Sequence, residues 1–236
     1  MTTVKCPVRH FAAHGGIDAS SMQGVGNTAG DVGLRERKKQ RTRATLIDAA
    51  VQLCLEQGYG NTTVEQIAAA ADVSPRTFSR YFATKDAVVM TLLEDFVQAV
   101  SDELDRIPGD VPALEAIKRA HVTVLNAIPS GEVEGLTPQR IVLMLRIINS
   151  TPGLKAAAAE FRPQATSVAM AERLGVGVGD RRLHLVMSVW ASIIITACGD
   201  LVEDRDGREL GPELMVERIS DTFADFTALT AGLSQD

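Results

Sequence analysis

Residues 61–87 read NTTVEQIAAAADVSPRTFSRYFATKDA. The spacing predicts two short helices joined by a tight turn. Val64, Ile67, Ala68 and Ala71 recur at helical intervals, so a helix from about Thr63 to Ala71 turns one apolar face inward. Thr62 or Thr63 can cap it, because a hydroxyl there accepts a bond from a free N–H of the first turn. Ala69 and Ala70 are small enough for another helix to approach closely. Asp72 and Val73 make the turn. Ser74 is the next N-cap, and Pro75 takes the first helical position, where a missing N–H does no harm. From Pro75 to about Phe82 the second helix buries Phe78 and Phe82 and leaves Arg76, Thr77, Ser79, Arg80 and Tyr81 outward. A bracing helix followed by one with a polar outer side is the arrangement that enters the DNA major groove. A plain helical hairpin would share the apolar pattern. The polar set on the second helix and the sequence around it weigh against that reading.

Upstream, a first helix is expected from about Glu36 to Gln57. It opens with RERKKQRTR at residues 35–43 and carries Leu46, Ala49, Ala50, Leu53 and Cys54 as an apolar stripe. Gly58 reads as a left-handed C-cap, with Tyr59 packing back on the helix. The basic run is either a solvated helix end or a set of phosphate contacts, and beside a helix-turn-helix we expect the latter. Charge along the chain agrees. The net charge is −6, yet residues 34–90 hold nine Lys/Arg against six Asp/Glu, and residues 91–236 hold thirteen against twenty-two. Only one end is suited to meeting phosphate.

The stretch TTVEQIAAAADVSPRTFSRYFATKDAVV at residues 62–89, with RTRATLIDAA at residues 41–50, resembles the DNA-binding domain of TetR-type repressors. Gly58-Tyr59, Thr62-Thr63, Ile67-Ala68, Val73-Ser74, Thr77-Phe78, Tyr81-Phe82 and Lys85 carry the likeness. It departs at Arg76, where Gly is frequent, at Ser79, where an aromatic is frequent, and at Ala83, where Pro is frequent. The resemblance implies an all-α protein: an amino-terminal three-helix helix-turn-helix domain and a larger helical domain for ligand binding and dimerisation. It implies phosphate contacts by Tyr81 and Lys85, by Thr62 or Thr63, and by Thr42 or Arg43 with Arg41. Ser74 and Pro75, at the amino end of the recognition helix, complete that face. Arg76 and Arg80 are the candidates for base reading, because an Arg fork matches the acceptor pair of guanine. Thr77 and Ser79 can bond a base or a phosphate.

The remaining sequence predicts organisation more than chemistry. Residues 1–33 hold six Gly and no apolar periodicity, and read as a disordered arm. His10 and His14 there lack an acidic or Cys partner, and Met22 offers an alternative start. Residues 34–88 are expected to form the DNA-binding domain and residues 89–236 the body. Thr84 caps a helix from Lys85 to about Asp105, whose stripe Val89, Leu92, Leu93, Phe96, Val100, Leu104 runs from one domain into the other. Further helices are expected over 112–128, 138–150 (capped by Thr137), 154–174 (kinked or split at Pro163), 180–198 (capped by Asp180) and 212–233. Twelve of the sixteen residues Leu183–Cys198 are apolar and lie all round their helix, so it must be covered on every side. We expect the last two helices to form a homodimer interface across a twofold axis. A larger monomeric core is the plainer alternative.

An effector pocket is implied by the resemblance. Its candidate walls are Phe96, His121, Met144, Phe161, Met170, His184, Met187 and Trp190, although residues of these types are more often plain core than ligand wall. Such a pocket would be mainly apolar, suited to a lipophilic small-molecule effector. The stretch TPGL at 151–154, EFR at 160–162 and RLG at 173–175, with Trp190 beyond, resembles the body of actinobacterial regulators of the mycofactocin type, which implies acyl-CoA as a possible effector class. Cys6, Cys54 and Cys198 are odd in number and lack metal spacing; Cys54, on a helix face, and Cys198, in an apolar run, are expected to be buried thiols in a reducing cytoplasm. No apolar run reaches the roughly 20 residues of a membrane span. There is no Ser/His/Asp set, no phosphate-cradling Gly loop and no paired carboxylate around a His, which argues against an enzyme and implies no metal or cofactor. The expected function is a dimeric, ligand-responsive DNA-binding regulator, a repressor acting on a double-stranded, pseudo-palindromic operator. A helical adaptor that binds protein is the competing reading.

Overall fold

The computed structural model describes residues 28–150, 152–161, 163–201 and 209–231. Cys6, His10, His14, Met22, Thr151 and Arg162 lie outside them, as does the expected arm up to residue 27. Among the described residues every regular element is helical. The ten α-helices are α1 (Thr28–Gln57), α2 (Val64–Ala70), α3 (Pro75–Tyr81), α4 (Lys85–Leu104), α5 (Ala113–Ala127), α6 (Pro138–Ser150), α7 (Pro152–Glu160), α8 (Gln164–Leu174), α9 (Arg181–Cys198) and α10 (Pro212–Ala231). Cα packing separates two compact units, 1–42 and 43–236.

The described part of the first unit is the leading portion of α1. The helix starts at Thr28, where residues 28–33 were expected to belong to the arm and the helix to start near Glu36. Residues 33–41 are exposed. Over residues 33–41 no side chain is buried, so this part of the helix has no apolar stripe for periodicity to reveal. It carries the Lys39–Glu36 ion pair at 3.9 Å.

In the second unit the helix-turn-helix is built by local chemistry. Thr63 accepts a bond from the Gln66 N–H at 3.2 Å while the Gln66 side chain accepts from the Thr63 N–H at 2.9 Å, a reciprocal capping box. At the other end of α2, Val73 N–H donates to Ala68 O and Asp72 N–H to Ala69 O. Asp72 supplies the left-handed residue of that turn, with φ 54. Ser74 caps α3 through the Thr77 N–H at 3.1 Å. Leu46, Ile67 and Phe78 are fully buried beneath the pair, and the rings of Phe78 and Phe82 lie 5.7 Å apart. Gly58 adopts φ 83, ψ 151 rather than the left-handed helical cap expected of it. That region is open to glycine alone, and it sends the chain into a 3-10 turn, Tyr59–Asn61.

The larger bundle is wrapped around α4. Its stripe Val88, Val89, Leu92, Phe96, Val100, Leu104 is buried, and α5, α6, α7 and α8 all pack against it. Helices α9 and α10 pack on each other and on α5. Pro163 splits the expected 154–174 helix into α7 and α8, because a residue without an N–H in extended conformation can begin a helix but not continue one. Helix α8 in turn fixes the end of α4. The Arg173 guanidinium donates to the carbonyls of Leu104, Ile107, Pro108 and Val111, at 3.3, 2.7, 2.6 and 3.1 Å. Leu104 is the last residue of α4 and the other three follow it in the connecting turn, where Leu104 and Pro108 also accept from the N–H groups of Ile107 and Val111.

Helix α9 buries Leu183, Met187, Trp190 and Ile193 but leaves Leu185 at 64% and Ile195 at 38% exposed. Leu229 of α10 is 80% exposed. With a mean hydropathy of 1.2, α9 is the one described helix long and apolar enough to cross a membrane. The same composition suits a helix covered on both sides within a protein.

Replacing Arg173 by Met should remove the guanidinium from four carbonyls at and beyond the end of α4, of which Leu104 and Pro108 keep a backbone donor. We expect a loss of about 2–4 kcal/mol in thermal or urea unfolding, with Arg173→Lys, which has a single nitrogen, recovering only part of it.

Candidate DNA-binding face and effector cavity

Helix α3 exposes Arg76, Ser79 and Arg80, with Pro75 and Ser74 exposed at its start and Thr77 and Tyr81 half-buried at its edge. Arg76 makes no side-chain hydrogen bond or ion pair among the described residues. The Arg80 guanidinium lies over the Tyr81 ring, 5.2 Å from its centroid. The hydroxyls of Ser74 and Thr77 share a 3.0 Å hydrogen bond, and Ser79 donates back to the Pro75 carbonyl at 3.1 Å. Exposed Thr63 at the start of α2 belongs to the same helix pair.

Three of the expected phosphate ligands, Thr62, Arg43 and Lys85, are engaged within the fold. Thr62 is 1% exposed and donates to the Gly58 carbonyl at 3.0 Å, so a phosphate cannot reach it and Thr63 is the hydroxyl that remains. Arg43 turns inward, donating to the Thr91 hydroxyl at 3.2 Å with its guanidinium over Phe82. The Lys85 ammonium donates to the carbonyls of Tyr59 and Thr62, at 2.8 and 3.1 Å, and lies 4.2 Å from the Tyr59 ring centroid. It is half-buried and braces the α1–α2 turn. Thr42, in the amino-terminal unit, donates to the Lys38 carbonyl at 2.9 Å, and Arg41 is exposed there.

Beneath α4 lies a cavity of about 160 Å³, walled by α4, α5, α6, α7 and α9 with parts of α8 and α10. Phe96, His121, Met144, Phe161, Met187 and Trp190 line it. Met170 does not, being fully buried in packing on α8. His184 does not either. The inner stripe of α9 runs Leu183, Met187, Trp190, and His184 is exposed on the helix's outer side. A second, larger cleft of about 570 Å³ is open to solvent and edged by Asp95, Asp102, Glu103, Glu132 and Glu134, which suits a lipophilic ligand poorly.

His121 is held at both nitrogens. Nδ1 lies 2.8 Å from the Ile117 carbonyl, and Nε2 lies 3.4 Å from the Trp190 indole nitrogen. With the proton on Nδ1, that nitrogen donates to the carbonyl and Nε2 accepts from the indole. Burial disfavours the imidazolium and pulls the pKa down to about 4. The imidazole is therefore a neutral strut between α5 and α9, flanked by Phe96 at 5.8 Å and Trp190 at 4.8 Å between ring centroids. Cys198, also in the wall, is pushed up to about 12 by burial and stays a thiol.

A sequence profile described as "Bacterial regulatory proteins, tetR family" matches residues 46–90, the span that contains this helix-turn-helix. Residues 46–90 are thus similar to the helix-turn-helix domain that this family model describes. TcmR of Streptomyces glaucescens, named an HTH-type transcriptional regulator, is 42% identical over 130 residues, covering 55% of this chain and 58% of TcmR. MftR of Mycobacterium tuberculosis, a regulator named for mycofactocin biosynthesis, is 28% identical over 120 residues, covering 51% of this chain and 58% of its own. The solved structure of FadR from Thermus thermophilus, described as a TetR family repressor in complex with lauroyl-CoA, is 22% identical. It covers 77% of this chain and 93% of FadR, with a TM-score of 0.46. The chain spans less than two thirds of the length of the curated relatives it matches. Those relatives are named as transcriptional regulators.

Some residues at these sites escaped the sequence reading. Asn149 and Lys155 line the cavity, bonded to the carbonyls of Cys198 and Gly199, each at 2.9 Å. A lone cation in LKAAAAE was the available signal. Arg140 of α6, with a side chain only 12% exposed, is ion-paired to Asp48 of α1. Nothing in a one-dimensional pattern joins positions 92 residues apart.

His121 gives a pH dependence of definite sign. Its folded pKa lies below the unfolded value near 6.5, so the unfolded chain binds the proton more readily. The stabilisation from a neutral His121 is complete above pH 6.5 and is lost as pH falls towards 4. Over that window unfolding free energy should drop by roughly 3 kcal/mol from this group. Urea melts at pH 7.5 and 4.5 should show a steeper loss in the parent than in His121→Gln.

Proposed function

We propose that the chain is a dimeric repressor that leaves a pseudo-palindromic operator when a small lipophilic effector enters the cavity beneath α4. The observation that carries the DNA-binding half is the outer side of α3, where Arg76 stands exposed and without a partner among the described residues. An unengaged guanidinium at the start of a recognition helix is a base reader in waiting, since its fork matches guanine O6 and N7. Arg80 follows one turn later. Ser74, Thr77, Ser79, Tyr81 and Thr63 surround them with short polar groups that fix register on phosphates. Lys85 supports that face by holding the turn before α2. Arg41 and Thr42 supply phosphate contacts from the amino-terminal segment.

Dimerisation is supported by the open stripe of α9. Leu185 and Ile195, with Leu229 of α10, are large apolar side chains left at the surface of a single chain. A second copy seated there would cover them and set two recognition helices about 34–36 Å apart, or a multiple of that. The regulator would act in the cytoplasm, where its operator lies.

The effector half rests on how the cavity walls connect to α1. Helices α4 and α6 both line the cavity, through Phe96 and Met144 among others. Both are also tied to α1, Thr91 of α4 by Arg43 and Arg140 of α6 by Asp48. An effector that pushes α4 and α6 apart moves these anchors and with them the recognition helices, so that one of two dimer shapes is favoured.

Three measurements test this. Arg76→Ala should weaken operator binding by roughly 1–3 kcal/mol and relax preference at one base step. Unchanged base preference across a mutated operator set would remove Arg76 from that role. Arg140→Ala should leave effector binding intact but shrink, several-fold, the effector's influence on operator affinity. A salt-dependent gel shift with the chain's own upstream DNA separates the repressor from a helical adaptor, which would give no shift.

A further inference from the structure

The cavity wall carries a single charged side chain among the described residues, Lys155 of α7. No carboxylate among them pairs with it. Its ammonium donates one bond, to the Gly199 carbonyl at 2.9 Å just past the end of α9. Asn149 takes the neighbouring carbonyl, Cys198, at 2.9 Å. Gly199 has no room for a side chain, since a Cβ there would stand 2.3 Å from the Ile195 carbonyl oxygen and 3.2 Å from the lysine nitrogen. The bare backbone is what lets the ammonium come this close.

The other polar groups of the wall are already engaged. Both nitrogens of His121 have partners, and the Thr166 hydroxyl shares a 2.5 Å hydrogen bond with Ser101. An ammonium has three donors, so Lys155 retains two. A half-buried cation against apolar walls, facing only carbonyl dipoles, lacks the negative charge that would offset its loss of water. The rest of the cavity is apolar, and its volume is close to the roughly 150 Å³ of dry apolar cavities that take up benzene.

We propose that the cavity selects a small amphipathic acid, a single ring or short chain bearing one carboxylate that pairs with Lys155 at the carboxyl end of α9. This rests on the reading of the cavity as an effector site and names the chemical class of the effector. The carboxylate completes the cation's shell and the apolar body fills the space between Phe96, Met144 and Trp190.

The test compares acids with neutral alcohols of the same shape by titration calorimetry on the full chain at pH 7.5: phenylacetate against 2-phenylethanol, and octanoate against octan-1-ol. The expected result is at least tenfold tighter binding of each acid. Lys155→Met should abolish the gap while leaving the alcohols bound. Lys155→Gln keeps a donor for the Gly199 carbonyl without the charge, and should abolish it too; circular dichroism melts check that both variants fold. Alcohols binding as tightly as acids, or a gap that survives in Lys155→Gln, would overturn the assignment and leave the lipophilic site standing. Failure of all four compounds to bind would overturn both this inference and the effector reading.

Discussion

Both ends of α4 are held by a cation that donates to main-chain carbonyls. At the start, Lys85 gathers the carbonyls of Tyr59 and Thr62. At the finish, Arg173 gathers four carbonyls from Leu104 to Val111. Between these clamps the helix is buried along one side for its whole length, and every neighbour that walls the cavity rests on it or on a helix it supports. A carbonyl at a helix end or a tight turn must find a donor. Here the donors come from other elements, so local backbone satisfaction and tertiary geometry become one requirement.

That arrangement explains how a small volume change could matter at a distance. Helix α4 cannot shorten or fray to absorb a ligand, since both of its ends are occupied. It can tilt. The Arg43–Thr91 bond and the Arg140–Asp48 pair sit where such a tilt would be felt by α1, well away from the aromatic floor of Phe96, His121 and Trp190. The floor itself is rigid because His121 has no unfilled hydrogen-bonding position and no charge at neutral pH.

Much of this was legible in the residues. The caps at Thr63, Ser74, Thr84, Thr137 and Asp180 follow from short polar side chains placed before apolar periodicity, and each forms as expected. Six of the eight cavity candidates meet around one space because large side chains on the inner stripes of converging helices have nowhere else to go. Where the placement departs from that reading, the cause is shared. Thr62, Arg43 and Lys85 resemble phosphate ligands by type and position, but side-chain direction is decided by partners distant in sequence: Gly58, Thr91 and Tyr59. The exposed run of α1 over residues 33–41 carries no apolar repeat from which a helix start could be read. Lys155 was passed over because its carbonyl partner lies 44 residues away.

Cys198 adds a property of time. A thiol whose pKa is pushed up to about 12 is a poor nucleophile, and this one stands in the cavity wall. A reactive, electrophilic visitor would not be captured covalently. If the cavity takes an effector, as proposed, its occupancy would then follow concentration in both directions, with no covalent record left on this thiol.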